Sequence, residues 1–342
     1  MRFESPWHQA YDLIRSAEIL RRRGLIRPLR LGQGLHTLRV ARRAGPFAAM
    51  IDGQPRDAPA IVAEDGTLSY GELEARGNAL ARGLLDAGLR PADVAGIFCR
   101  DHCGAVLTLI AAGKLGVRVV LMNTGFGAPQ LADVVRRENV TALFLDPEFL
   151  PLTGPLPAGI KKIATSAGDG AAAVSCLDDL IAGRSAAAVP WPDSPGGMVL
   201  LTSGTTGRPR GARRDKISPL QSAQLLDRVP LSRGGTMILA TPLFHGTGLG
   251  QFVLALTLGQ QVVLRRRFDP ETTLADVAAH RAGTLIVVPT MLRRIVDLGP
   301  AVLAKYDTSS LRIIVCAGSA LSPDLCRRTA GAFGDVLYNI YG

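Results

Sequence analysis

The sequence predicts an α/β protein whose sheets are mostly parallel, and three observations lead to this prediction. Short apolar stretches, such as residues 93–98 and 141–145, alternate with stretches of helical periodicity, a pattern typical of parallel sheets covered by helices on both faces. Hydrophobic residues make up 47% of the chain and charged residues only 20%, so a large core can form. Aromatic residues are scarce at 5%, and this composition suits packed α/β layers better than an all-β sandwich.

Length and composition together predict two lobes preceded by an arm. With 342 residues, the chain is too long for one ordinary domain. Residues 151–197 are rich in Pro, Gly, Ala and Ser, which places the boundary between the lobes in this stretch. We therefore expect an arm at 1–45, a first α/β lobe at 46–190 and a second α/β lobe at 191–342.

Individual elements follow from the apolar patterns and from the helix-capping signals. Ser69 and Glu72 have the spacing of a capping box and open a helix that Gly88 can close. In the first lobe we expect strands at 60–63, 93–98, 117–122 and 141–145, and helices at 103–115 and 129–138. In the second lobe we expect strands near 198–202, 236–240, 261–264, 284–288, 312–316 and 336–340, with helices that include 270–281 and 322–333.

The arm at 1–45 concentrates the positive charge of the chain. It holds ten arginines and three acidic residues, and so carries +7 of the net charge of +10. A helix is predicted at 5–24, and Leu35, Leu38 and Ala41 indicate a shorter second helix. Such a basic amphipathic arm can lie on an anionic membrane surface, or it can pack on its own protein with its arginines in solvent. No nucleic-acid partner is expected, since the remaining chain is nearly balanced in charge and carries no zinc-finger or RNA-binding motif.

Cysteine usage and the absence of apolar runs predict a cytoplasmic protein. The five cysteines are odd in number and scattered, as expected for buried thiols in a reducing compartment. The cluster from Cys99 to Cys103, which includes His102, has no second half and lacks the ligand spacing of a zinc site. No apolar run approaches the roughly 20 residues that span a bilayer, and the N-terminus does not resemble a signal peptide. Peripheral association with a membrane through the arm remains compatible with this location.

The segment with the most distinctive chemistry follows the apolar strand at 198–201. Residues 202–211 contain three threonines, one serine and three glycines, together with Arg210. Glycines let backbone N–H groups approach phosphate oxygens, while hydroxyls and a guanidinium add further donors. The spacing of a Walker loop is absent, and no helical pattern begins at once after the segment. Composition alone would also fit a flexible surface linker.

The order of these residues resembles a known phosphate loop. Thr-Ser-Gly-Thr-Thr-Gly-x-Pro-basic-Gly is similar to the signature of the AMP-forming adenylating enzymes, which include acyl-CoA synthetases, luciferases and the adenylation domains of peptide synthetases. Further segments resemble landmarks of this family in the family's order, over about residues 55–342: 68–73, 88–94, 241–248, 315–321 and 339–342. The resemblance implies two stacked, mostly parallel α/β lobes that form the large N-terminal domain of such an enzyme, without its C-terminal part.

The resemblance also implies roles for individual residues. The residues expected to hold the phosphates of ATP are Thr202, Ser203, Gly204, Thr205, Thr206, Gly207 and Arg210, the last standing where the family usually has Lys. Thr202 and His245 are the expected catalytic residues, with His245 beside the carboxylate and acyl pocket. The residues expected around the adenine are Gly318, Ser319, Ala320, Asn339, Tyr341 and Gly342, with Tyr341 stacked on the purine and Asn339 reading its exocyclic amine. At the positions of Ser319 and Ala320 the family usually has other residues. The metal-binding residues remain unassigned.

The function implied by the resemblance is that of a fatty acid–CoA ligase. It would use ATP with Mg²⁺ to convert a medium- to long-chain fatty acid to an acyl-adenylate, and coenzyme A would then take the acyl group. The chain ends before the family's Thr-Glu pair, hinge and lid, so we expect this piece to bind nucleotide weakly and to adenylate poorly. Two alternatives stay open: a ligase that loads a carrier protein, and a non-catalytic remnant that binds a membrane or a partner through its arm.

Overall fold

The computed structural model describes most of the chain, namely residues 15–16, 18–22, 31–168, 174–202, 210–214 and 219–340. The described strands form two sheets of seven strands each. They are β1 Pro59–Ala63, β2 Gly66–Ser69, β3 Val94–Phe98, β4 Arg118–Leu121, β5 Ala142–Leu145, β6 Lys161–Ala164, β7 Ser175–Cys176, β8 Met198–Thr202, β9 Arg210–Arg214, β10 Thr236–Leu239, β11 Gln261–Leu264, β12 Thr284–Val287, β13 Ile313–Ala317 and β14 Leu337–Ile340.

Helices cover the faces of both sheets. They are α1 Leu31–Ala44, α2 Pro46–Ala49, α3 Tyr70–Asp86, α4 Cys103–Leu115, α5 Ala128–Arg137, α6 Leu177–Ile181, α7 Pro219–Arg228, α8 Gly246–Thr257, α9 Pro270–Ala279, α10 Pro289–Val296, α11 Pro300–Leu303 and α12 Pro323–Phe333, with a 3₁₀ helix at Pro147–Thr153. The described strands and helices confirm the predicted α/β class.

The strand order of each sheet is mostly parallel. Sheet A has the order β14-β13-β12-β10-β11-β1-β2, and sheet B has the order β7-β6-β5-β3-β4-β8-β9. Neighbouring strands are parallel except for β1–β2 and β8–β9, the antiparallel pairs at one edge of each sheet. The carboxyl ends of the parallel strands therefore share one edge within each sheet, which is where ligands bind in open α/β folds.

The two sheets do not follow the predicted boundary at residue 190. Strand β1 pairs with β11, with Ile61 opposite Val262, so the first strands of the chain belong to sheet A. Strand β8 pairs with β4, with Val199 opposite Val120, so the strand leading to the Thr/Ser/Gly segment belongs to sheet B. Residues 46–190 thus contribute β1 and β2 to sheet A, and residues 191–342 contribute β8 and β9 to sheet B.

Local signals explain why most predicted elements form. The Ser69 hydroxyl accepts the Glu72 N–H at 3.2 Å, and the Glu72 carboxylate accepts the Ser69 N–H at 2.7 Å, which confirms the capping box. Helix α4 is closed by Gly116, whose φ of 68° lies in the left-handed region that favours glycine. Strands β6 and β7 were missed in the Pro- and Gly-rich stretch, since β6 begins with two lysines and so lacks an apolar run, and β7 has only two residues.

The core joins the two sheets. Every residue of α4 is buried, and this helix contacts β1 and β2 of sheet A as well as β3 and β4 of sheet B. Side chains from both sheets, such as Phe144 and Val262, belong to one apolar cluster. In the arm, residues 18–22 are helical and α1 corresponds to the predicted second helix, while most of the helix predicted at 5–24 lies outside the described residues. None of the described helices is both long and apolar enough to cross a membrane.

Candidate active site

Strands β8 and β9 bracket the Thr/Ser/Gly segment. They are antiparallel neighbours, and Thr202 at the end of β8 lies opposite Arg210 at the start of β9. The segment leads into a strand, as expected for a loop that is not of the Walker type. The residues between these strands lie outside the described part of the chain, among them Ser203, Gly204, Thr205, Thr206 and Gly207. Because β8 ends here, the segment leaves sheet B at the carboxyl edge of its parallel strands.

His245 lies in the turn that comes after β10 of sheet A. Its backbone N–H donates to the Pro242 carbonyl at 3.1 Å, and it occupies the N-cap position of α8. Its ring lies against that of Phe244, with centroids 4.5 Å apart. Although part of the His245 side chain is exposed, the surrounding protein desolvates the ring and lowers its pKa below the usual value. The ring is therefore neutral at pH 7 and can donate or accept a hydrogen bond.

The His245 turn and strand β8 lie close together, although they belong to different sheets. A Cβ atom built on Gly246 would lie 3.5 Å from Leu200 Cδ1, an ordinary van der Waals distance. Leu200 is two residues before Thr202 on β8. The structure thus brings together the strand that enters the Thr/Ser/Gly segment and the predicted catalytic His245.

The third group of predicted residues forms what we call the β13–β14 edge, namely Gly318, Ser319, Ala320 and Asn339. The first three directly follow β13, and Asn339 on β14 pairs with Cys316 of β13. All four residues are exposed. Gly318 has a φ of 101°, a conformation that side-chain-bearing residues rarely adopt, and among the described residues a Cβ built there would meet only Val288 Cγ1, at 3.6 Å. The edge is therefore open to a flat ligand.

The β13–β14 edge and the His245 turn both lie at the carboxyl ends of the parallel strands of sheet A. Strand β12 separates β10 from β13, which corresponds to a distance of roughly 10 Å at about 4.8 Å per strand. A nucleotide could therefore reach from one to the other. Tyr341 and Gly342, also predicted to contact the nucleotide, lie outside the described residues.

A second polar group, which the sequence did not identify as a unit, lies between the sheets. We call it the buried junction; its buried members are Asp101, His102 and Asp146, and the exposed Asp65 and half-buried Arg266 complete it. His102 is 1% exposed and Asp146 fully buried, and His102 Nε2 lies 2.7 Å from Asp146 Oδ1. Arg266, from sheet A, donates to Asp146 Oδ2 at 2.8 Å. Asp101 and His102, from the segment between Cys99 and Cys103, are thus part of a link between the sheets.

The neutral and protonated forms of His102 differ in the partner of Nδ1. Its Nδ1 accepts the Gly104 N–H at 3.0 Å, so in the neutral ring the proton is on Nε2 and is donated to Asp146. Protonation would place a second proton on Nδ1, which lies 3.3 Å from Asp65 Oδ2. Burial disfavours the charged ring, but hydrogen bonds to Asp146 and Asp65 and their charges outweigh it and raise the pKa of His102 to about 9.

Asp101 is the least compensated acid of the buried junction. It is 6% exposed, and burial raises its pKa to about 7, against the opposing effects of the Leu243 amide and His102. The pKa of Asp146, by contrast, is lowered, because hydrogen bonds and charge from His102 outweigh its burial. Among the described residues, no group of three or more His, Cys, Asp or Glu could hold a metal ion.

Comparisons with known proteins agree with this arrangement. A family model described as AMP-binding enzyme matches residues 47–342. Feruloyl-CoA synthase from Amycolatopsis sp is 32% identical, over 76% of this chain and 51% of its own length. Fatty acid–[acyl-carrier-protein] ligase ScoC from Streptomyces coeruleorubidus is 30% identical, over 83% of this chain and 55% of its own length.

A solved structure shows the same fold. The anthranilate CoA ligase AuaEII, in complex with anthranoyl-AMP, superposes with a TM-score of 0.77 at 19% identity, over 88% of this chain and 58% of that one. The chain spans about half the length of the curated relatives it matches. The predicted family and fold class are confirmed, and the chain belongs to the AMP-binding enzyme family.

Proposed function

We propose that the whole protein is an AMP-forming ligase of carboxylic acids and coenzyme A. The substrate carboxylate attacks the α-phosphorus of ATP, which gives an acyl-adenylate and releases pyrophosphate. The thiol of coenzyme A then attacks the acyl carbon, and AMP leaves. We further propose that the acid is a medium- to long-chain fatty acid. Family membership supports the reaction type.

One observation of the structure carries this proposal. The strand that enters the Thr/Ser/Gly segment and the turn that carries His245 come from different sheets, yet they meet at Leu200 and Gly246. A phosphate-binding segment and a neutral imidazole close together suit the attack of a carboxylate on a phosphorus atom, since this chemistry depends on positioning and charge stabilisation. His245 would donate a hydrogen bond that orients the carboxylate.

The nucleotide would occupy the carboxyl edges of both sheets. The residues proposed to bind the β- and γ-phosphates are Thr202, Ser203, Gly204, Thr205, Thr206, Gly207 and Arg210, with the Thr202 hydroxyl nearest the reacting phosphorus. The β13–β14 edge fits an adenine ring because its residues are exposed and Gly318 has no side chain of its own that would block the approach of a ligand to the backbone. Tyr341 would stack on the ring, beside Gly342. Mg²⁺ would be held chiefly by the phosphates, as is common for this ion.

Acid-dependent exchange between ATP and pyrophosphate tests the proposal. We expect the whole protein, with Mg²⁺ and a panel of short to long fatty acids, to catalyse exchange with one length class. Replacing His245 with Ala should lower the rate at least tenfold. The matched control is His280→Ala, because His280 follows α9 and precedes the amino end of β12, at the opposite edge of sheet A. Equal rates for both variants, or exchange that needs no acid, would contradict the proposal.

A carrier protein in place of coenzyme A is a second candidate acceptor. It is favoured by the relative ScoC, whose name describes a fatty acid–[acyl-carrier-protein] ligase. The first half-reaction is the same for both acceptors, so exchange does not separate them. The two acceptors are distinguished by the formation of acyl-CoA, measured by mass spectrometry with coenzyme A as the only thiol.

The exposed face of α1 supports a fatty acid as the substrate. Leu35 and Leu38 are 56% and 53% exposed, and exposed Arg39 and Arg42 lie on the same face. The opposite face is buried, as at Val40. Apolar side chains flanked by arginines suit the surface of an anionic membrane, from which an amphiphilic acid can be drawn. We propose that α1 docks there.

Vesicle sedimentation tests this docking. The chain should bind phosphatidylglycerol vesicles in a salt-sensitive way and bind neutral phosphatidylcholine vesicles more weakly. Replacing both Leu35 and Leu38 with Gln should weaken binding at least tenfold, since two apolar side chains no longer enter the interface. Binding that is insensitive to salt and to both substitutions would contradict docking through α1.

A further inference from the structure

Asp101 is not needed to cap the helix that follows it. It precedes α4, whose first amides are satisfied by other side chains: Cys103 N–H donates to Asp65 at 3.1 Å, and Gly104 N–H donates to His102. A buried ionisable carboxylate is costly unless hydrogen bonds compensate it. Within the described part of the chain, this carboxylate accepts the backbone N–H of Leu243, which lies 3.1 Å and 3.2 Å from its two oxygens.

Leu243 belongs to the segment that carries His245. This segment leaves sheet A after β10 and turns at Pro242, which has no N–H of its own, so the Leu243 amide is the first donor of the turn. Gly248 of α8 packs so closely that a Cβ there would lie 2.3 Å from the Pro242 carbonyl oxygen. Two contacts therefore position the turn: close packing against Gly248 of α8 and the hydrogen bond to Asp101.

Asp101 belongs to the sheet that carries the Thr/Ser/Gly segment. It follows β3, and β3 is joined to β8 through β4, with Ala95 opposite Val119 and Val119 opposite Met198. The hydrogen bond that Leu243 N–H donates to Asp101 therefore fixes the His245 turn of sheet A relative to strand β8 of sheet B. These two residues are 142 positions apart in the chain.

We propose that Asp101 is a positioning residue that holds the 242–245 turn, and with it His245, against the strand leading into the phosphate-binding segment. Its importance for catalysis rests on the proposed function, but its contact with the turn does not. The inference is tested by the ionisation of the His245 ring, which is observable by NMR without turnover. A failure of the proposed function and a failure of this inference are therefore distinguishable.

The test uses the full chain labelled with ¹³C-His and ¹⁵N-Leu. In Asp101→Ala the turn loses its anchor, the ring becomes more hydrated, and the pKa of His245 should rise towards the usual value of about 6.5. Asp101→Asn keeps the shape and a neutral acceptor, so the pKa of His245 should stay close to that of the wild type. Measured at a pH above the Asp101 pKa of about 7, the Leu243 amide resonance of this variant should lie upfield of the wild-type resonance, because its acceptor is no longer a carboxylate.

The control is Asp276→Ala, which removes another buried carboxylate, one that is bonded to Arg265 at 2.8 Å and, among the described residues, has no hydrogen bond to the 242–245 turn. It should lower stability without moving the pKa of His245. An unchanged His245 pKa in Asp101→Ala would overturn the inference, and so would a shift of equal size in Asp276→Ala. If Asp101→Ala does not fold, the inference is tested by the chemical shift of the Leu243 amide in Asp101→Asn. A chemical shift equal to that of the wild type would overturn the inference.

Discussion

The β13–β14 edge and the buried junction are both polar, but their side chains have opposite surroundings. Ser319 and Asn339 are exposed at the end of parallel strands, so they are available to a ligand. In the buried junction, Asp146 accepts hydrogen bonds from four groups: His102, Thr165, the Arg100 amide and Arg266. The edge is therefore suited to binding, and the junction to holding the two sheets together. Substitutions should affect binding at one and stability at the other.

The largest effect is expected from Asp146→Ala. It leaves His102, Thr165 and Arg266 without their buried acceptor, and breaking a buried charged pair costs about 3–5 kcal/mol. Urea denaturation should show a loss of this size in the free energy of unfolding. The control is Asp178→Ala, since Asp178 is 70% exposed in its pair with Arg76 and such surface pairs contribute about 0–1 kcal/mol. Similar losses for both variants would remove the distinction between junction and surface.

A pH-dependent effect is expected from His102→Asn, in which the side-chain oxygen can still accept the Gly104 N–H. The pKa of His102 is raised to about 9, so its charged form stabilises the fold fully below about pH 6.5, and this stabilisation is lost as the pH rises through 9. The variant should be less stable than the wild type by on the order of 2 kcal/mol at pH 6. Urea denaturation from pH 6 to 9.5 should show the gap narrowing. A gap that is constant or widens with pH would contradict the assignment.

A smaller effect, on binding alone, is expected from Asn339→Ala. Loss of one hydrogen bond to the adenine should weaken ATP binding by about tenfold, while the free energy of unfolding should change by less than about 0.5 kcal/mol because Asn339 is exposed. Isothermal titration calorimetry and urea denaturation measure the two quantities. Asp335→Ala is the matched control, since Asp335 is exposed at the amino end of the same strand. Unchanged ATP affinity in Asn339→Ala would exclude this residue from the adenine site.

The sequence predicted the elements better than their pairing. Helix α4 and strand β13 were predicted within a residue or two, because an apolar run or a cap marks each of them locally. The exchange of strands between the sheets was not predicted, since partners such as Ile61 and Val262 are 201 residues apart and no local pattern encodes their register.

The same limit applies to the candidate site. The Thr/Ser/Gly segment and the β13–β14 edge were identified because their residues are contiguous and resemble family motifs. The hydrogen bonds that Leu243 donates to Asp101 and that Arg266 donates to Asp146 were missed, because each joins residues more than 100 positions apart. A single Asp or His in an apolar context does not reveal its partner. Such contacts become visible only when the sheets are assembled.

Photolabelling with 8-azido-ATP would show directly whether the β13–β14 edge receives the adenine. Trypsin cleaves after Arg312, Arg327 and Arg328, so the two parts of the edge fall into separate peptides, 313–327 and 329–342. We predict that one or both of these peptides carry the label and that excess ATP prevents the labelling. Labelling that ATP prevents but that lies in other peptides would contradict an adenine site at this edge.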